Sequence, residues 1–374
     1  MYKKNIPTSV IAFLIILIFF SCSTRIEASS KVIPPDSYVS DEIAVFFNGQ
    51  IIISPKKTFN IDTSKYSGTY IPLKLLNELP KVTVNFSNPI TIKTENKTST
   101  INQTDTFLYD NTTYITLNKL YEVTGFTGKY VYDPNSLFLW SSADGETKSK
   151  NLINQINNVT YDFHKSFMGK KVYVYDEDIS GWVISMEKSI SGLTNFKIQL
   201  KNGKVIEELA ISEVPDSFCT EFDTVLINAR YNGKYYWADK TQLPSSNPLI
   251  NIEKVYFTSV KIKGREILIA AKRNGGASVT FKIPIKNDPF ESIKSNFYTE
   301  NPKSTYPGWS TDMWNKIAQQ KISVGMTPEQ VLLSWGGPND INSYTSKNTR
   351  IEQWIYGNTY LHFYNGNLES WSKY

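Results

Sequence analysis

The sequence predicts an α+β chain, mainly β, divided into several domains. Three observations carry this reading. Aromatic residues make up 14% of the 374-residue chain, with 23 Tyr, 20 Phe and 8 Trp, and such side chains pack well on a pleated surface. Short alternating segments are punctuated by Asn-Gly and Gly-Gly pairs, the strongest local signals for hairpins. A strand-then-helix pattern occurs twice at a fixed offset, the mark of a repeated supersecondary unit.

The first element is a leader. Lys3 and Lys4 precede an unbroken apolar run over residues 10–20. A spanning helix needs about 20 apolar residues, so the shorter run reads as the apolar region of a signal peptide over residues 1–21. The string Phe19-Phe20-Ser21-Cys22 resembles the lipobox of bacterial lipoproteins. Ser21 fits that pattern; Phe19 stands where Leu is usual, and Phe20 is bulky. The resemblance implies lipidation of Cys22, with palmitate among its acyl chains, and a membrane-anchored place in the bacterial cell envelope. Each buried CH₂ adds about 0.8 kcal/mol to such an anchor. Cleavage near Ala28 and Ser29 with free secretion is the first alternative, and an uncleaved anchor the second.

Residues 22–40, with Pro34 and Pro35, read as a tether. The chain carries 40 Lys and Arg against 35 Asp and Glu. Loss of the leader removes Lys3 and Lys4 and no acid, so the remainder is nearly balanced. That argues against a nucleic-acid partner. Cys219 is the only other cysteine; with Cys22 acylated, no structural disulfide is expected.

Residues 69–78 (TYIPLKLLNE) and 113–122 (TYITLNKLYE) repeat in register. Each copy predicts a strand ending in Tyr-Ile, then a short helix. Leu73 and Leu76, or Leu117 and Leu120, share one face of that helix by their i, i+3 spacing. Alternating residues follow: Val82, Val84 and Phe86, then Tyr130 and Tyr132. With Asn48-Gly49 and Tyr70-Ile71-Pro72-Leu73, residues 41–141 resemble the copper amine oxidase N-terminal-like (stalk) domain of bacterial surface proteins. The resemblance implies no oxidase activity, because that module lacks the catalytic domain. Residues 41–141 contain no His, Cys or Met, whereas copper sites favour imidazole or soft sulfur.

Residues 142–167, entered through the polar stretch 141–151, read as a linker. Residues 168–243 predict a small, bent β-barrel from strands at 171–175, 182–186, 196–200, 225–229 and 235–238. Its turns lie at Ser191-Gly192, Asn202-Gly203 and Asn232-Gly233. Within it, Asp176, Asp178, Ser180, Gly181 and Glu187 have the spacing of a calcium-binding EF-hand loop. The flanks alternate like strands, so an acidic hairpin tip is favoured over a metal site. Residues 244–310 add a β extension and linker, with strands at 254–263, 266–272 and 278–285.

The last module covers residues 311–374. Thr327 caps a helix, Pro328 takes its first position and Gln330 completes a capping box. Val331, Leu332 and Trp335 are the candidate core contacts, and Gly336-Gly337-Pro338 stops the helix. Strands follow at 350–356, 359–364 and 368–371, with a turn at Asn365-Gly366. From Val324-Gly325-Met326-Thr327 onward, through Trp354, Tyr356-Gly357 and Asn365-Gly366, residues 320–374 resemble the SmpA/OmlA family of outer-membrane assembly lipoproteins. That resemblance implies protein–protein interaction at a membrane surface.

Reactive constellations are sparse. His362 alternates in a strand, His164 has no acid or thiol at a recruiting distance in sequence, and Cys219 reads as a small buried hydrophobe. Glu207 and Glu208 form no defined pair. No zinc, nucleophile-elbow or phosphate-loop motif is present, and no cofactor is predicted. The sequence therefore points to a non-catalytic envelope lipoprotein that binds protein or glycan. The alternatives are a secreted hydrolase with dispersed residues and a calcium-stabilised adhesion module.

Overall fold

The computed structural model describes residues 31–33, 42–62, 67–347 and 349–374. The expected signal peptide, Cys22 and most of the tether lie outside the described residues. Strands hold 41% of the described residues and helices 23%, so the fold is mainly β with a few helices. Among the described residues, no helix is long and apolar enough to cross a membrane. The described residues form two compact units, divided between Asn154 and Gln155.

The first unit is built on the repeat. Strands Ser67–Pro72 and Thr112–Thr116 pair antiparallel, with Ile71 directly opposite Ile115. These are equivalent positions of the two copies. Tyr70 then faces Thr116 and Tyr114 faces Pro72, so a local two-fold axis passes between the isoleucines. Both are fully buried. The helical segments that follow differ. Leu117–Thr124 is an α-helix, capped by the Thr116 hydroxyl accepting from Lys119 N and closed by Gly125 at positive φ. Leu73–Glu78 is a 3-10 helix with no side-chain cap. Pro72 stands where Thr116 caps, and Pro80 soon bars continuation. Leu73, Leu76 and Leu120 are buried as expected, whereas Phe86 and Tyr132 point outward.

The polar stretch at 141–151, expected as a break, belongs to the helix Ala143–Asn157. Ser142 Oγ accepts from Gly145 N, and Asp144–Lys148 and Glu146–Lys150 ion pairs lie one turn apart. High polarity here is a solvated helix face, and the division between the two units falls within this helix, inside the expected linker 142–167. The helix packs closely on the Asn48–Gly49 hairpin turn. A Cβ on Gly145 would meet Asn48 Oδ1 at 1.9 Å.

The second unit holds three antiparallel sheets. The first runs Val205–Ala210, Thr194–Leu200, Ile179–Lys188, Lys171–Val174, Phe218–Thr220. It is open, not the barrel expected for 168–243. The segment 225–229, expected as a strand, lies in the helix Glu221–Tyr231. Thr220 and Asp223 form a reciprocal capping box that starts this helix. The cap outweighs the β-preference of the branched residues behind it. Asn228 Oδ1 accepts from Val260 N at 2.9 Å, beside a bulge between Phe257 and Ser259.

The expected strand at 235–238 belongs to the second sheet. Tyr235–Ala238 pairs with Lys254–Lys263 on one side and Phe297–Tyr298 on the other. No boundary falls at 244–250. Leu243 and Leu249 are buried there, and Lys240 Nζ donates to the carbonyls of Pro244, Ser245 and Asn247. Asn251, 1% exposed, joins this loop to the last module. Its Nδ2 donates to the carbonyls of Ile317 and Leu333, and its Oδ1 accepts from Lys240 N.

In the last module Thr327, Pro328 and Gln330 start the helix Pro328–Trp335 as expected. Val331 is buried, but Leu332 is 40% exposed. The inward stripe is Gln330, Val331 and Ser334, with Trp335 half-buried beside it. Leu332 turns away because successive residues differ by about 100° around a helix. Strands Arg350–Tyr356, Thr359–Tyr364 and Asn367–Lys373 form the expected sheet. Asp340–Thr345 adds a fourth strand at its edge, exposed along its whole length.

Candidate functional site

A groove of about 910 Å³ opens in the second unit. Four local structures position its walls. The helix Glu221–Tyr231 ends with Arg230 and Tyr231, and the chain then turns at Gly233 (φ 76°) into Lys234, Tyr235 and Tyr236. Opposite them, Phe297–Tyr298 forms a two-residue edge strand leading to Thr299 and Glu300. The helical turn Pro302–Thr305 and Tyr306 close one end, with Leu333 from the helix Pro328–Trp335. Asn232-Gly233 is thus a helix exit, not the hairpin turn expected from its sequence.

Aromatic packing sets the rigidity of the walls. Tyr236 and Phe257 lie 4.4 Å apart, and Phe257 meets Phe297 edge-on at 5.0 Å. Tyr306 stacks flat on Trp309 at 4.1 Å. The Tyr298 hydroxyl donates to Asp239 at 2.9 Å, and that of Tyr231 to the Phe290 carbonyl at 3.2 Å. Burial pushes the Tyr231 phenol up to about 12 and raises that of Tyr298. These hydroxyls stay protonated at neutral pH and act as anchors for the walls.

Positive charge dominates the rim. Arg230 lies 5.9 Å from the Tyr231 ring and 5.5 Å from the Phe290 ring. Lys234 Nζ donates to the Arg230 carbonyl at 2.8 Å. Lys254 sits 4.1 Å from the centroid of Tyr235. Lys294 is neutralised by Glu291. Of the residues lining the groove, Glu300 alone carries a carboxylate. The arrangement suits stacking and charge pairing; it does not set a nucleophile beside a base.

The residues singled out in the sequence lie elsewhere. Asp176 and Asp178 occupy the turn between Lys171–Val174 and Ile179–Lys188, as the hairpin reading expects. The Arg265 guanidinium holds the Asp176 carboxyl below the ordinary carboxylate range. Asp178 accepts from the Tyr173 hydroxyl and from Gly264 N, which lowers it as well. Ser180 donates to Glu221 at 2.8 Å. Glu187 lies seven residues further along the same strand, roughly 20 Å away at about 3.3 Å per residue. The four side chains do not converge. Gly181 has a packing role: a Cβ there would meet Gln199 O at 2.6 Å.

His164 is fully buried, with Nδ1 2.7 Å from Thr194 Oγ1 and Nε2 3.1 Å from the Ser212 carbonyl. A carbonyl only accepts, so Nε2 carries the proton and Nδ1 accepts from Thr194. Burial lowers its pKa. His362 pairs across the last sheet with Gln353 and Ser370. Burial pushes the Cys219 thiol up to about 12, the opposite of an activated nucleophile. Glu207 bonds to Asn195 and Lys197, while burial raises Glu208 on the opposite face of the strand. Among the described residues, no group of three or more His, Cys, Asp or Glu side chains is placed to hold a metal ion.

Sequence reasoning missed the groove. A signal existed in residues 230–237 (RYNGKYYW), where cations and rings alternate within eight positions. Reading them as hairpin strand and turn hid it. No protein-family model, curated protein or solved structure matches this chain.

Proposed function

We propose that this chain is a non-catalytic lipoprotein of the bacterial cell envelope that binds glycan or protein through its β-rich units. The signal-like leader, the lipobox-like string ending at Cys22 and the two family resemblances support the location. The groove carries the binding reading. Its walls are tyrosines fixed by packing, its rim is cationic, and one carboxylate lines it. Clefts of this size, roughly 300–1,000 Å³, are typical ligand sites. A hydrolase would use convergent acids or a poised imidazole, but both nitrogens of His164 are occupied within the core.

Two measurements test the proposal. Radiolabelled palmitate is expected in the wild type and not in Cys22→Ala; equal labelling rejects the anchor. Tyr235→Ala combined with Tyr306→Ala is expected to abolish retention of solubilised envelope glycan or protein by the immobilised chain. Unchanged retention rejects the groove as the site.

A further inference from the structure

The groove's charge pattern narrows its occupant. Arg230 and Lys234 are exposed, and neither has a carboxylate partner among the described residues. Arg230 lies against the rings of Tyr231 and Phe290, and Lys234 donates to the Arg230 carbonyl. Lys254 likewise rests over rings, those of Tyr235 and Trp237. Against the lining cations Arg230 and Lys234 stands Glu300, with Lys294 and Glu291 cancelling each other. Surface cations usually find carboxylates or open water; here Arg230 and Lys234 line the same groove as Tyr235, which is 53% exposed. An exposed ring next to charged donors matches a ligand with apolar faces and acidic substituents.

Backbone geometry separates glycan from peptide. A peptide ligand commonly adds a strand to a free sheet edge. Tyr235–Ala238 is bonded on both sides, and the edge beside it, Phe297–Tyr298, is two residues long. Leu333 is the one branched aliphatic side chain in a wall otherwise mainly aromatic and polar, a lining that suits sugar rings. At about 910 Å³ the groove has room for more than one sugar ring.

Resting on the binding function proposed above, we infer that the groove takes an anionic glycan chain. A sugar face lies on the exposed Tyr235, and its carboxylates or phosphates pair with Arg230 and Lys234. Titration of the full chain in neutral detergent tests this. The probes are oligogalacturonate and its carboxyl-reduced form, phosphomannan and its dephosphorylated form, polyglutamate and a single-stranded oligonucleotide. At least one acidic glycan is expected to bind about tenfold more tightly than its neutral form, the scale of one charge-assisted hydrogen bond. Which acidic glycan does so separates carboxylate from phosphate. Arg230→Ala and Lys234→Gln are each expected to remove about that factor and to flatten the salt dependence. Lys234→Gln serves alone if the melting curve shows Arg230→Ala unfolded. Equal affinity for acidic and neutral glycans overturns the inference, as does tighter binding of polyglutamate or the oligonucleotide. Neutral or protein ligands lost in Tyr235→Ala would leave the groove as a binding site while rejecting its anionic occupant. No effect of Tyr235→Ala on any ligand rejects both.

Discussion

At the scale of single residues, the polar groups inside this protein build it rather than react. His164 is the clearest case. Its imidazole is neutral in the core, and burial holds its pKa below the ordinary 6.5. The unfolded chain takes up this proton first as pH falls. Stability is therefore intact above about 6.5 and is lost progressively below it, until the depressed folded pKa is passed. The melting temperature should fall between pH 7 and 5, and His164→Gln should flatten part of that slope relative to the wild type. An unchanged slope would mean that other groups carry the acid sensitivity. The sequence did not disclose this role, because the partners Thr194 and Ser212 lie 30 and 48 residues away. Asn251 was equally silent, since its acceptors come from Ile317 and Leu333.

At the scale of elements, local chemistry was legible wherever it decides the outcome locally. The Thr327 capping box, the Asn365-Gly366 turn and the strands expected at 266–272 and 278–285 follow directly from their residues. The helix Glu221–Tyr231 was misread because β-branched residues drew attention away from Thr220 and Asp223. Gly181 shows a second limit. It satisfies a calcium spacing, yet its place in the sheet is set by the approach of Gln199 and Ile198. Gly181→Ala is expected to destabilise the second unit by about 1–3 kcal/mol in urea denaturation, the usual cost of overpacking. A loss below the error of the measurement would show that the sheet yields at that point.

At the scale of the molecule, the mainly β architecture and the repeat were readable, and the assembly of the units was not. The 44-residue offset even anticipates the two-fold pairing of Ile71 with Ile115. The groove draws on 230–236, 294–306 and 333, and no periodicity or spacing brings those stretches together. Composition placed a joint at 142–167, and the division between the two units does fall there, within a helix rather than an irregular run. The close seat of Gly145 on Asn48, and of Lys148 on Gly49, has a practical consequence for anyone dissecting this chain. A fragment stopped at residue 141 would shed a buttress of its own hairpin, so it should melt several degrees below one carried through 157. Matched scanning calorimetry of the two pieces would settle where the scissors belong, and equal transitions would show that the buttress is dispensable.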